Sequence, residues 1–114
     1  MHALIIEDEM LVALILEDML RDLGFSTFDW APTQEDAVEA AKRRTPDLIT
    51  ADIRLHEGNG IEAVRRISED RIVPTLFVTG NDQVLRNVPG TAVISKPVTA
   101  LGLRAGYIWA MHGR

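Results

Sequence analysis

The sequence predicts an α/β fold: a five-stranded parallel sheet with helices on both faces. Three observations carry that expectation. Short continuous apolar runs, Ala3-Leu4-Ile5-Ile6, Leu48-Ile49-Thr50-Ala51, Leu76-Phe77-Val78 and Ala92-Val93-Ile94, have the composition of parallel strands buried on both sides. Stretches of helical periodicity alternate with them, joined by short Gly- and Pro-punctuated loops, the order that gives right-handed βα units. Each run also ends on a polar group: Glu7-Asp8, Asp52, Thr79 and Lys96. In open α/β sheets ligands gather at the carboxyl ends of the strands, so these residues are expected on one rim.

In chain order, the first strand spans about His2 to Ile6 and delivers Glu7-Asp8-Glu9. A helix follows from Met10 to Leu23, with Gly24 as its C-cap. Val12, Leu16, Met19, Leu20 and Leu23 form its core stripe. Leu11, Leu14 and Ile15 exceed what one stripe needs. Either the helix is sunk between the sheet and its neighbours, or these residues form a partner-docking patch beside the acidic rim. Phe25 to Trp30 alternates in polarity and reads as an edge strand. Thr33 and Asp36 stand at capping-box spacing and open a helix running to about Arg44, with Ala37, Val38, Ala40 and Ala41 facing inward.

Pro46 stops that helix, and Asp47 to Ala51 leads into Asp52. A loop then reaches a third helix, Gly60 to about Asp70, whose charged run from Glu62 to Asp70 reads as a solvated face with i,i+4 pairs. Pro74 opens the fourth strand, ending at Thr79-Gly80. Asn81 to Gly90 has room for only one or two helical turns and few apolar anchors. Thr91 to Ser95 is the fifth strand, broken by Lys96-Pro97, and a last helix covers Thr99 to Met111.

The 114 residues fit one domain. A net charge of −5 without a basic run argues against a nucleic-acid partner. Met10 to Leu16 is apolar but too short to span a bilayer, so no membrane partner is expected. The lack of cysteine rules out a disulfide framework or thiolate metal site and fits a cytoplasmic protein.

Adjacent carboxylates with a third across the rim suit a hard cation such as Mg²⁺, which takes oxygen ligands and keeps several waters. Taken alone, Glu7-Asp8-Glu9 fits a helix N-terminus complementing its dipole better than a site. Its company, Asp52 and Lys96, tips the balance toward a site. Asp52 could serve as a permanent metal ligand or as a nucleophile that attacks a phosphoryl group to form an acyl phosphate. In the second case Mg²⁺ and Lys96 would neutralise charge while the Thr79 hydroxyl held a phosphoryl oxygen.

The set Glu7-Asp8, Asp52, Gly60, Thr79-Gly80 and Lys96-Pro97, in that order, resembles the receiver domain of two-component response regulators over essentially the whole chain. The resemblance implies a flavodoxin-like (βα)5 receiver, residues 1–114, with the fourth of its five helices, between Thr79 and Lys96, shortened and no output domain. It implies that Asp52 is the phosphoacceptor, charged by a histidine kinase or histidine phosphotransfer protein. Asp8, Asp52 and the backbone carbonyl of Arg54 would bind Mg²⁺, with Glu7 assisting. Thr79 and Lys96 would contact the phosphoryl group, and the Lys96-Pro97 bond would be cis. Three positions depart from the family habit. Val93 stands where an aromatic switch residue is usual, His56 where proline is common, and the segment between Thr79 and Lys96 is short. Phe77-Val78-Thr79-Gly80 resembles the signature of FATGUY-type receivers, which also lack the aromatic, although Asn81 does not continue it. With Val93 too small to couple to Thr79, ordering of residues 81–90 on phosphorylation is the expected switch.

Other readings are weaker. Gly58-Asn59-Gly60-Ile61-Glu62-Ala63 fits a dinucleotide fingerprint in outline but follows the third strand instead of the first. A Mg²⁺-dependent phosphohydrolase would need a second acid two residues after its nucleophile, where Arg54 stands. A pseudo-receiver that binds partners without phosphorylation would not need all five site residues. His2, His56 and His112 lack ligand spacing and read as surface or loop residues. Trp30, Tyr107 and Trp109 are too scattered for a binding platform. The expected role is therefore phosphotransfer and protein contacts, as an output signal, relay or phosphate sink, and not enzymatic turnover.

Overall fold

Five parallel strands, β1 (His2–Ile6), β2 (Thr27–Ala31), β3 (Leu48–Asp52), β4 (Thr75–Thr79) and β5 (Thr91–Ser95), form one sheet in the order β2-β1-β3-β4-β5. This is a computed structural model, which describes residues 1–80 and 91–112. Four helices connect the strands: α1 (Met10–Asp22), α2 (Gln34–Arg43), α3 (Gly60–Ser68) and α4 (Ala100–His112). The shortened helix expected within 81–90, and its ordering, lie outside the described residues.

β1, β3 and β4 are buried along their whole length, as their uninterrupted apolar runs require. Alternate residues feed two cores. Leu4, Ile6, Ile49, Ala51 and Phe77 pack with α2 and α3 through Ala37, Val38, Ala63, Val64 and Ile67. Ala3, Ile5, Leu48, Leu76, Val78 and Ile94 pack on the other face with Leu16 and Leu20 of α1 and Leu103 and Ala110 of α4. α4 comes close to the sheet at Gly106, where a Cβ would lie 2.8 Å from Ile94 Cγ2.

The chain order reverses between β1 and β3, which are direct neighbours with Ile6 opposite Ala51. Such a reversal opens a crevice at the carboxyl ends of the two strands. The residues that follow, Glu7 and Asp52, meet there.

Local signals hold with small shifts. Thr33 Oγ1 accepts the Asp36 N–H at 3.1 Å and caps α2, and Asn59 Oδ1 accepts the Glu62 N–H at 2.7 Å and caps α3. β2 begins at Thr27, later than expected, because Phe25 is folded back with its N–H on the Leu20 carbonyl. It is an edge strand, as its polarity suggests. On α3, Arg65 pairs with Glu69 at the anticipated i,i+4 spacing and also with Glu62 at i,i+3, while Arg66 crosses to Glu35 of α2.

Two expectations are corrected. α1 is not sunk on all sides: Leu11, Leu14 and Ile15 are 75%, 53% and 50% exposed. His2 is not a surface residue. It is buried in β1, its ring between Thr27 Oγ1 (2.9 Å) and Asp29 Oδ2 (3.0 Å), so the polar β2 edge satisfies both ring nitrogens. His56 and His112 are exposed, as read.

Candidate functional site

The described rim brings together the Glu7, Asp8 and Asp52 carboxylates and the Lys96 ammonium, with Thr79 at the end of the adjacent β4 and Arg54 in the loop that follows Asp52. One carboxylate oxygen from each of Glu7, Asp8 and Asp52 lies within 4.8 Å of the others. Lys96 Nζ reaches over from the end of β5, 2.8 Å from Asp52 Oδ2 and 3.6 Å from Glu7 Oε1. Asp52 Oδ1 accepts the Arg54 N–H at 3.2 Å. Thr79 is buried at the end of β4, and its carbonyl accepts the Lys96 N–H at 2.9 Å, which fixes the start of the Lys96-Pro97 turn. That peptide bond is cis. The Arg54 side chain is exposed, and Arg54 bridges to Asn59 across the loop.

Gly60 has a steric reason to be glycine. A Cβ there would stand 2.1 Å from the Asp52 carbonyl oxygen, and the Gly60 N–H closes the loop onto Ile53 O at 3.0 Å. Gly58 turns the preceding residues with φ +85°, a conformation glycine adopts without penalty. Both glycines thus have a backbone role in the loop.

The three carboxylates are not equivalent. Glu7 is fully buried. Burial pushes its carboxyl up from 4.5 to about 7, with the Asp52 charge adding to the rise and the Glu9 N–H and Lys96 opposing it. Burial also works against ionised Asp8, but hydrogen bonds from the His56 N–H and with Glu7 outweigh it and hold Asp8 below its ordinary value. The Lys96 ammonium, likewise disfavoured by burial, is held above its ordinary value by Asp52 and Glu7.

A hard divalent cation fits this donor set. The donors are oxygens, and buried Glu7 Oε1 has no hydrogen-bond partner among the described residues. A buried carboxylate oxygen is costly to leave unsatisfied, and a cation would satisfy it.

Two contributors escape sequence reasoning. Trp30 Nε1 donates to the Glu7 carbonyl at 2.6 Å, tying the end of β2 to the acid pair. Only the β1–β2 pairing, with Ile5 opposite Trp30, brings the indole there. His56, read as a loop residue, gives its N–H to Asp8 Oδ2 at 2.9 Å. Proline, which has no N–H, could not make that bond.

A family model described as the response regulator receiver domain matches residues 3–105. The chain belongs to that family. The transcriptional regulatory protein PdtaR of Mycobacterium tuberculosis is 36% identical over 82 residues, covering 72% of this chain and 40% of PdtaR. The phyllosphere-induced regulator PhyR of Methylorubrum extorquens is 41% identical over 78 residues, covering 67% of this chain and 29% of PhyR. The PhyR receiver domain of Erythrobacter litoralis, solved by NMR, superposes with a TM-score of 0.83 at 34% identity, covering 96% of this chain and 88% of that one. This receiver thus spans less than half the length of those two curated relatives. Relatives also include a protein-glutamate methylesterase of Geobacter metallireducens, 40% identical over 79 residues that make up 23% of its length. Among the described residues, no helix is long and apolar enough to cross a membrane.

Proposed function

We propose that this receiver accepts a phosphoryl group on Asp52 from a histidine kinase or histidine phosphotransfer protein. Residues 1–114 would act as one receiver unit, in the cytoplasm, that passes its signal through protein contacts or serves as a relay or phosphate sink. The observation that carries the reading is the Asp52 carboxylate at the β1–β3 switch point, with Lys96 Nζ 2.8 Å from one oxygen and the Arg54 N–H 3.2 Å from the other.

An Asp52 oxygen attacks the donor phosphorus. The P–N bond to the donor imidazole breaks, a P–O bond to Asp52 forms, and the leaving imidazole nitrogen takes a proton. Lys96 turns from its ion pair to an incoming phosphoryl oxygen, and the Thr79 hydroxyl takes another, placing donors where charge accumulates. Mg²⁺ held by Asp8, Asp52 and the Arg54 carbonyl, with Glu7 assisting, would supply further charge neutralisation. Buried Glu7 keeps the site's floor acidic, while the Trp30 and His56 N–H groups fix the backbone of Glu7 and the carboxylate of Asp8.

Incubation with acetyl phosphate and Mg²⁺, read by intact mass, tests this. The native protein is expected to gain one phosphoryl group, EDTA to suppress the gain and Asp52→Asn to abolish it. Equal labelling of Asp52→Asn would refute the assignment.

A further inference from the structure

We propose that Gln34, the first residue of α2, is a positioning residue for the cation site. It clamps the tip of the β3–α3 loop and so holds in place the Arg54 backbone that would serve as a ligand. The proposal rests on the reading of Asp8, Asp52 and the Arg54 carbonyl as a Mg²⁺ site, and adds what fixes that carbonyl's position.

The base of the loop is closed on itself: the Gly60 N–H donates to Ile53 O at 3.0 Å, and Arg54 bridges to Asn59. Its middle is tied to Asp8 through the His56 N–H at 2.9 Å. Asp8 is itself a candidate ligand, so a cation would compete for the carboxylate that makes this tie. The contacts from Gln34 are free of that competition, because Gln34 stands outside the carboxylate group. Its N–H donates to the Glu57 carbonyl at 3.2 Å, and its Oε1 accepts the Asn59 N–H at 3.2 Å. Between those two bonds Gly58 is pressed against the side chain, where a Cβ would stand 2.5 Å from Gln34 Cβ and Oε1.

Residue 34 follows the Thr33 cap, so its N–H is among the donors that a helix leaves without an internal partner, and the loop supplies one. Asn59, which receives the side-chain bond, also caps α3 with its Oδ1 and lies opposite Arg54. One glutamine thereby links α2 to the start of α3 and to the ligand residue. Mg²⁺ demands near-octahedral geometry, so a loop free to shift would present its carbonyl poorly. Groups that orient a ligand from outside the coordination shell contribute to affinity for this reason.

Calorimetric Mg²⁺ titration of the native chain, Gln34→Ala, Gln34→Met and Gln34→Glu tests the assignment, with Asp8→Asn and Asp52→Asn as controls. Hydrogen exchange of the Asn59 amide in EDTA reads the clamp without metal. Methionine fills the space over Gly58 but has no oxygen, whereas glutamate keeps the acceptor. In Gln34→Ala and Gln34→Met the Asn59 amide should exchange several-fold faster, and Mg²⁺ should bind about tenfold more weakly, the lower end of such losses. Gln34→Glu should restore both toward native values. Labelling of Gln34→Ala by acetyl phosphate should need more Mg²⁺ yet approach the native rate at saturation. Native Mg²⁺ affinity in Gln34→Ala, or unchanged Asn59 exchange, would overturn the proposal. So would a loss in Gln34→Glu equal to that in Gln34→Ala, or a labelling defect that Mg²⁺ does not recover. Undiminished Mg²⁺ binding in both aspartate variants would instead overturn the cation-site reading itself.

Discussion

The Cα of Gly60 sits so close under the end of β3 that a Cβ would fall 2.1 Å from the Asp52 carbonyl oxygen. The first turn of α3 and the candidate phosphoacceptor are thus packed backbone to backbone. Ala51 Cβ, 3.3 Å away, leaves no lateral room. Gly60→Ala must push α3 away or displace Asp52, and overpacking of this kind costs about 1–3 kcal/mol. Urea unfolding should show that loss, and acetyl phosphate labelling of Asp52 should slow. An alanine variant with native stability would mean that the loop relaxes freely.

The unfavourable charge in the pocket is concentrated on Glu7. Its carboxyl is raised from 4.5 to about 7 in the fold, mainly by burial. An unfolded chain releases that proton near the ordinary value, whereas the folded protein keeps it until about pH 7. Metal-free stability should therefore fall as pH rises from about 4.5 to 7 and then level off, a change on the order of 3 kcal/mol. Cation affinity runs the other way, rising through pH 7 as Glu7 ionises. Glu7→Gln should flatten the stability profile and raise metal-free stability at pH 8. Thermal melts in EDTA across pH 5 to 8.5 measure both. A native profile with no decline over that range would show that Glu7 does not titrate as described.

Thr50 Oγ1 is buried in β3 with no hydrogen-bond partner among the described residues. Its neighbours in the sheet register are Ile5 and Leu76. Valine has the same branched shape without the hydroxyl. Thr50→Val should stabilise the protein by about 1 kcal/mol, the desolvation cost of an unmatched hydroxyl, with cation binding unchanged. A destabilised variant would place a protein or solvent partner on that hydroxyl.

Leu11, Leu14 and Ile15 form an exposed apolar face on α1, the helix that starts just after Asp8. A phosphodonor delivering its histidine to Asp52 would pass beside this face. Leu14→Glu should shift stability by no more than about 0.5 kcal/mol, because it removes no core contact. It should leave labelling by acetyl phosphate intact and slow phosphotransfer from a protein donor at least several-fold. Transfer at the native rate would place docking on another face.

The sequence by itself determined the strand–helix order, the parallel sheet and the identity of every charged group on the rim. Short apolar runs bounded by turn residues and alternating with helical patterns point to parallel strands, and the polar residue ending each run then emerges at the carboxyl edge. That logic is local, so Glu7, Asp8, Asp52, Thr79 and Lys96 were legible without coordinates. β5, at the sheet edge, is only partly buried although its run is apolar. The tertiary structure decided what depends on which strands become neighbours. The β1–β3 adjacency buries Glu7 beneath Asp8, so one acid is raised and its neighbour lowered although they are consecutive in the chain. The β1–β2 register carries the Trp30 indole to the Glu7 carbonyl, and the loop after β3 brings His56 back to Asp8 across 48 residues. The same packing buries His2 and leaves Leu11, Leu14 and Ile15 exposed. Composition assigns each of these residues a preference. Only the contacts made by distant segments decide whether water, a carboxylate or an apolar wall meets it.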